Sequence, residues 1–150
     1  MSYDFLLKDF NNTLTQKSIG TDKGLAKIGD SIVNLTYSVA KSIVLTRNSK
    51  NDKSVRTGVK VSKTILANAI REAEMKEFSK SRADAHDMAD TAEALIAYTW
   101  LLKRMTIEDI INFLVDSLRG NLTVRHEEIQ NATKAFRKLL IEIKKYLPES

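Results

Sequence analysis

The sequence predicts a single all-α domain of about six or seven helices. One proline and five glycines in 150 residues leave little of the punctuation that an all-β chain needs. Apolar residues instead recur at helical spacing along long uninterrupted segments. The length suits one hydrophobic core, and 43% apolar with 29% charged residues is an ordinary globular composition.

Taken in order, Ser2 caps a first helix to about Gln16, with Phe5, Leu6 and Phe10 on one face. Residues 17–23 read as a turn. A second, mostly buried helix runs from about Gly24 to Leu45. Its polar residues Lys27, Asp30, Ser31, Asn34, Ser38, Lys41 and Ser42 share one stripe of roughly 120°. Residues 46–58, TRNSKNDKSVRTG, are polar without periodicity and read as a mobile loop. A third helix is expected over 59–78, with Val61, Ile65, Leu66, Ala69, Ile70 and Ala73 as its apolar stripe. Asp84 or Asp87 caps a fourth helix reaching about Arg104. Thr106 and Asp109 form a capping-box start for a fifth helix that ends at Gly120. Thr123 opens the last helix, which stops before Pro148.

Composition narrows the chemistry. Cysteine is absent, which excludes disulfides and thiolate metal sites and leaves His86 and His126 as the only imidazoles. The N-terminal stretch MSYDFLLKDF has neither the basic nor the long apolar region of a signal peptide, and no run nears the roughly 20 apolar residues of a membrane span. A cytoplasmic protein with no membrane partner is the expectation. A formal net charge of +5 points toward a polyanion such as nucleic acid.

The segment DMADTAEALIAYTWLL, 87–102, carries the chemistry. Asp90 and Glu93 are three residues apart and so neighbours on one helix face, which continues as Ala97, Trp100 and Leu101 and is aimed inward. Burying two like charges is costly unless a cation or a proton compensates. Mg²⁺ or Mn²⁺ suits carboxylate oxygens, and Asp30 on the second helix could complete such a site. Gly29 beside it would let another backbone, or a ligand, approach closely. A simpler reading also fits: Asp90 and Glu93 favour the start of a helix through its dipole, and Asp30 belongs to a solvated stripe.

At these residues the chain resembles the ribonuclease III family. Ile28-Gly29-Asp30-Ser31 matches the core of the family's nine-residue motif, and Ala89-Asp90-Thr91-Ala92-Glu93-Ala94-Leu95-Ile96 matches its second acidic motif. The resemblance covers roughly residues 20–105. It implies an all-α, single-domain endonuclease that dimerises and cleaves double-stranded or structured RNA, leaving 5′-phosphate and 3′-hydroxyl ends. By position it implies Asp30, Asp90 and Glu93 as metal ligands, with Asp30 and Glu93 as the catalytic pair and Mg²⁺ (or Mn²⁺) as cofactor. In the family the helix bearing the first motif lies at the dimer interface, which implies Val33, Tyr37 and Ala40 for that contact.

Departures from the pattern are specific. The fuller motif has glutamates seven and four residues before the aspartate, where this chain has Lys23 and Ala26. Mini-ribonuclease III proteins also lack these glutamates, and their Gly-Leu-Ala…Ile-Gly-Asp wording is similar to Gly24-Leu25-Ala26…Ile28-Gly29-Asp30. They lack the double-stranded-RNA-binding domain as well, and only about 30 residues follow Arg119 here. Phosphate contacts are then expected from Arg47, Lys50, Lys53, Arg56 and Lys60, although these also suit a merely solvated loop. The basic residues of the last helix alternate with acids, as a solvent face does. Two other functions compete: a non-catalytic RNA-binding relative, which Lys23 would favour, and an all-α nucleoside-triphosphate pyrophosphohydrolase using Glu74, Glu77, Asp90 and Glu93.

Overall fold

The computed structural model describes residues 2–10, 13–51 and 53–149, which form six α-helices and two short 3-10 segments and contain no strand. The helices are α1 (Gln16–Gly20), α2 (Lys23–Arg47), α3 (Lys63–Glu72), α4 (Ala85–Leu101), α5 (Ile107–Ser117) and α6 (Arg125–Lys144). The 3-10 segments are Asp4–Phe10 and Lys76–Phe78.

Side-chain caps decide where the chain turns. Thr15, Asp22, Ser62, Asp84 and Thr106 each accept a backbone N–H at the start of their helix. Thr15 and Ser18 cap reciprocally, at 2.9 and 2.8 Å, so the expected single helix to Gln16 is broken. Residues 17–20, expected as a turn, are helical instead; Asn11 and Asn12 of the expected helix lie outside the described residues.

Other boundaries shift for equally local reasons. The third helix starts at Lys63 rather than 59, because the N–H groups of Val59 and Val61 are taken by side chains of α2. It ends at Glu72, and Glu74 adopts a left-handed φ of 58° that reverses the chain. The fifth helix stops at Ser117, before Gly120, because Leu118 is already extended. The Thr123 hydroxyl bonds Asn121 Oδ1 at 2.6 Å instead of capping, and α6 begins at Arg125 without a side-chain cap.

The centre of the molecule is α4, not α2. Its sequence is apolar nearly all round, and every residue from Thr91 to Thr99 is buried. Packed against it are α1, α2, α3 and α6, while α5 lies against α2 and α6. Two close approaches fix this packing. A Cβ on Gly20 would overlap the Phe78 carbonyl, and the Gly20 carbonyl accepts a 2.7 Å bond from the Thr91 hydroxyl. A Cβ on Gly29 would overlap the carbonyl of Glu93, with even the Glu93 Cα only 2.8 Å away. Backbone therefore touches backbone where α2 meets α4.

Val33, Tyr37 and Ala40 lie in the chain's own core at 1% exposure or less. They present nothing to a second chain, which corrects the interface expected of them. Tyr37 packs on Phe136 and donates a 2.7 Å hydrogen bond to buried Glu128, which also receives Lys41 at 2.8 Å and Arg125 at 3.1 Å. Burial acts to raise the Glu128 pKa, but these three partners outweigh it and hold the group ionised. This cluster pins α6 to α2.

Residues 53–58, expected as part of a mobile loop over 46–58, and 59–61, expected to open the third helix, form one extended segment. They run extended along α2, with Val55, Thr57, Val59 and Val61 turned inward and Ser54, Arg56, Gly58 and Lys60 exposed.

The Gly29→Ala variant is expected to lose about 3 kcal/mol or more, since a Cβ there meets backbone that cannot rotate away. Gly58→Ala, which meets nothing within 4 Å, is expected to stay within about 0.5 kcal/mol of the parent. Chemical denaturation of the two variants checks the contrast.

Candidate active site

The contact at Gly29 has a chemical consequence, because the next residue along α2 is Asp30 and the partner on α4 is Glu93. Their carboxyl groups are neighbours in one cleft. Glu93 is 4% exposed, whereas Asp30 is only half-buried. Burial, then the hydrogen bond and charge of Asp30, push the Glu93 pKa up to about 8. The Glu93 carboxyl thus keeps its proton at neutral pH.

Asp90 faces the same cleft but is held differently. Lys23 Nζ donates to its Oδ2 at 2.9 Å, His86 Nδ1 lies 3.4 Å from that oxygen, and Lys63 Nζ lies 3.8 Å from Oδ1. The Lys23 pKa is raised, mainly by its hydrogen bond to Asp90, so this ammonium keeps its charge. Asp87, on the next turn of α4, pairs with Lys80 at 3.5 Å.

Together these residues line an open cleft of about 570 Å³: Lys23, Ala26, Lys27, Asp30, Lys60, Lys63, His86, Asp90 and Glu93. All three carboxylates expected from the sequence are therefore in one place, and four lysines surround them. Arg47, Lys50, Lys53 and Arg56 are exposed and lie away from the cleft, while Lys60 is on its wall. Glu74 and Glu77, the acids a pyrophosphohydrolase would need beside Asp90 and Glu93, do not line it.

The residues over 23–149 match the family model described as Ribonuclease III. The chain belongs to the ribonuclease III family. Family membership makes it an RNA-processing ribonuclease domain in general terms, and its helical architecture agrees with that fold. No curated protein matches the chain.

The donor set can be tested against the cofactor the family implies. Asp30 and Glu93 are adjacent oxygen donors in a water-accessible cleft, and a divalent cation could replace the proton on Glu93. Mg²⁺ is commonly held by one or two carboxylates together with waters and substrate phosphate. Among the described residues no group of three or more His, Cys or acidic side chains is assembled as a metal cage, and Asp90 is paired with Lys23. The residues fit a two-carboxylate site with one further acid beside it.

The sequence reading put Lys27 and Asn34 on the same stripe as Asp30 without assigning them to the site, and it did not single out Lys63. Asn34 Nδ2 donates to Asp30 Oδ1 at 3.3 Å. The available signal was its spacing: Asp30, Asn34, Ser38, Ser42 and Thr46 recur every fourth residue, on one face of α2.

The proton on Glu93 should appear in stability. The unfolded Glu93 carboxyl ionises near its ordinary value of 4.5, while the folded one keeps its proton to about 8. Between those values the folded state binds more protons, so stability falls as pH rises, by at most about 1.4 kcal/mol per pH unit. Thermal melts from pH 5 to pH 8 are expected to show this fall in the parent and to lose most of it in Glu93→Gln.

Proposed function

We propose that the protein is a Mg²⁺-dependent endoribonuclease that cleaves double-stranded or structured RNA as a homodimer in the cytoplasm, with Mn²⁺ able to replace Mg²⁺. The observation that carries this reading is the Asp30–Glu93 pair, set by Gly29 in a cleft walled with lysines. A bound Mg²⁺ would polarise a water toward the scissile phosphodiester and stabilise the leaving oxygen. Asp30 and Glu93 would hold it, and Glu93 would give up the proton that it otherwise keeps. Lys27, Lys60 and Lys63 neutralise phosphate charge at the cleft wall. Asp90, paired with Lys23 at 2.9 Å, faces the same space as a further oxygen acceptor.

Cleavage of a duplex RNA is expected with Mg²⁺ or Mn²⁺ and is expected to fall about 10²-fold or more in Asp30→Asn and Glu93→Gln. Gel analysis of products at saturating metal checks it, and full activity in both variants would remove the assignment.

The 2.9 Å pair between Lys23 and Asp90 favours a second reading, a non-catalytic duplex-RNA binder. Tight duplex binding without turnover in any divalent metal would select that reading. A gain of turnover in Lys23→Glu would point to the ammonium as the cause.

A second copy would meet α2 on its uncovered side. Leu35 is 53% exposed there, and Val39 and Ile43 continue the stripe one and two turns on. Leu35→Asp is expected to shift a dimer to monomer, measured by light scattering after size-exclusion chromatography.

A further inference from the structure

The extended segment 53–61 and the polar stripe of α2 match residue for residue. Thr46, Ser42 and Ser38 hydroxyls accept from the amides of Val55, Thr57 and Val59 at 2.8, 3.0 and 2.8 Å. Asn34 Oδ1 accepts from the Val61 amide at 2.7 Å. The match is metric. Four residues of helix rise about 6.0 Å and two of extended chain about 6.6 Å, so every fourth side chain meets every second amide. The segment runs antiparallel to α2 and has every second amide satisfied without a neighbouring strand.

What this docking displays is charge. Arg56 and Lys60 sit at outward positions and Lys53 is exposed at the start of the run, about 23 Å from Lys60 at seven residues of extended chain. Among the described residues none of the three forms an ion pair. A free loop carrying the same cations would have to be ordered on binding, at about 1–2 kcal/mol per residue for the backbone. Docked chain has already lost that freedom, which favours affinity. The segment has no aromatic residue on which unpaired bases could stack, so it suits a regular phosphate backbone rather than a single strand.

Asn34 joins this row to the cleft. One side-chain amide accepts from Val61 and donates to Asp30, so docking of the segment and orientation of the carboxylate share a group.

We propose that Asn34, Ser38, Ser42 and Thr46 are positioning residues that hold 53–61 as a preformed rail for one phosphate backbone of an RNA duplex, aligned with Asp30 through Asn34. The inference rests on the duplex-RNA reading above and adds how the duplex is held relative to the carboxylates.

The test uses the full chain with Ser38→Ala and Ser42→Ala combined. Amide exchange at Thr57 and Val59 is expected to quicken at least about tenfold as their acceptors vanish. Duplex affinity at fixed salt is expected to fall about tenfold, with kcat at saturating duplex changed less than about twofold. Ser38→Thr with Ser42→Thr keeps both hydroxyls, as Thr46 does naturally, and is expected to restore protection and affinity. Should the double alanine variant fold poorly, Thr46→Val removes one acceptor at constant shape and is read at the Val55 amide. Asn34→Asp still accepts from Val61 but cannot donate to Asp30, so Val61 stays protected while kcat falls.

Freely exchanging amides with undiminished duplex affinity would overturn the rail, and an unchanged kcat in Asn34→Asp would remove the link to Asp30. An equal loss of affinity for a single strand of the same length would overturn the duplex assignment. Failure of the parent chain to bind any duplex would instead overturn the functional reading on which the inference rests.

Discussion

Where α2 crosses α4, the backbone of Gly29 lies against the backbone of Glu93, with no room for a side-chain atom between them. The active-site geometry and the core packing both depend on this contact. It sets the separation of the two most extensively packed helices, and it places Asp30 beside Glu93. The close crossing keeps these two carboxyl groups, which lie on different helices, as neighbours in one cleft. A larger residue at 29 would separate the helices and the acids together. Glycine inside a helix costs about 1 kcal/mol of propensity, a cost that the packing and the site together offset.

The molecule contains two buried acid clusters, and the comparison shows what makes one of them a site. Glu128 is neutralised completely within the chain by Lys41, Arg125 and Tyr37, and the result is a clamp between α2 and α6. Glu93 has only a half-buried acid and a more distant lysine beside it, so it retains a proton. Open space next to it lets a cation or a phosphate take part in the balance. The first cluster is closed to ligands and the second is not. Lys23 lies between these cases, closing Asp90 to some extent while remaining at the solvent-exposed rim.

The polar stripe of α2 gains a physical explanation from residues 53–61. Serine, threonine and asparagine at every fourth position of a long helix carry no apolar burial, and along this stripe they serve as acceptors for a second segment of backbone. Their first member, Asp30, belongs to the cleft. The stripe therefore runs from the carboxylates to the basic segment without interruption.

The fold class was legible from periodicity and capping residues, because helix formation and its stops are local: Asp22, Asp84 and Thr106 act within three residues of themselves. The two acidic motifs were legible for the same reason, as spacing on a helix determines which side chains share a face. Gly29 next to Asp30 could be read as a close approach, though not the identity of what approaches. The period-2 pattern of Val55, Thr57, Val59 and Val61 was present in the sequence but lacked meaning without its partner helix. Burial of Val33, Tyr37 and Ala40 in the chain's own core, the pairing of Lys23 with Asp90, and the proton on Glu93 were decided only by tertiary structure. Each depends on a neighbour tens of residues away, and hydrogen bonding and desolvation act through distance in space rather than along the chain.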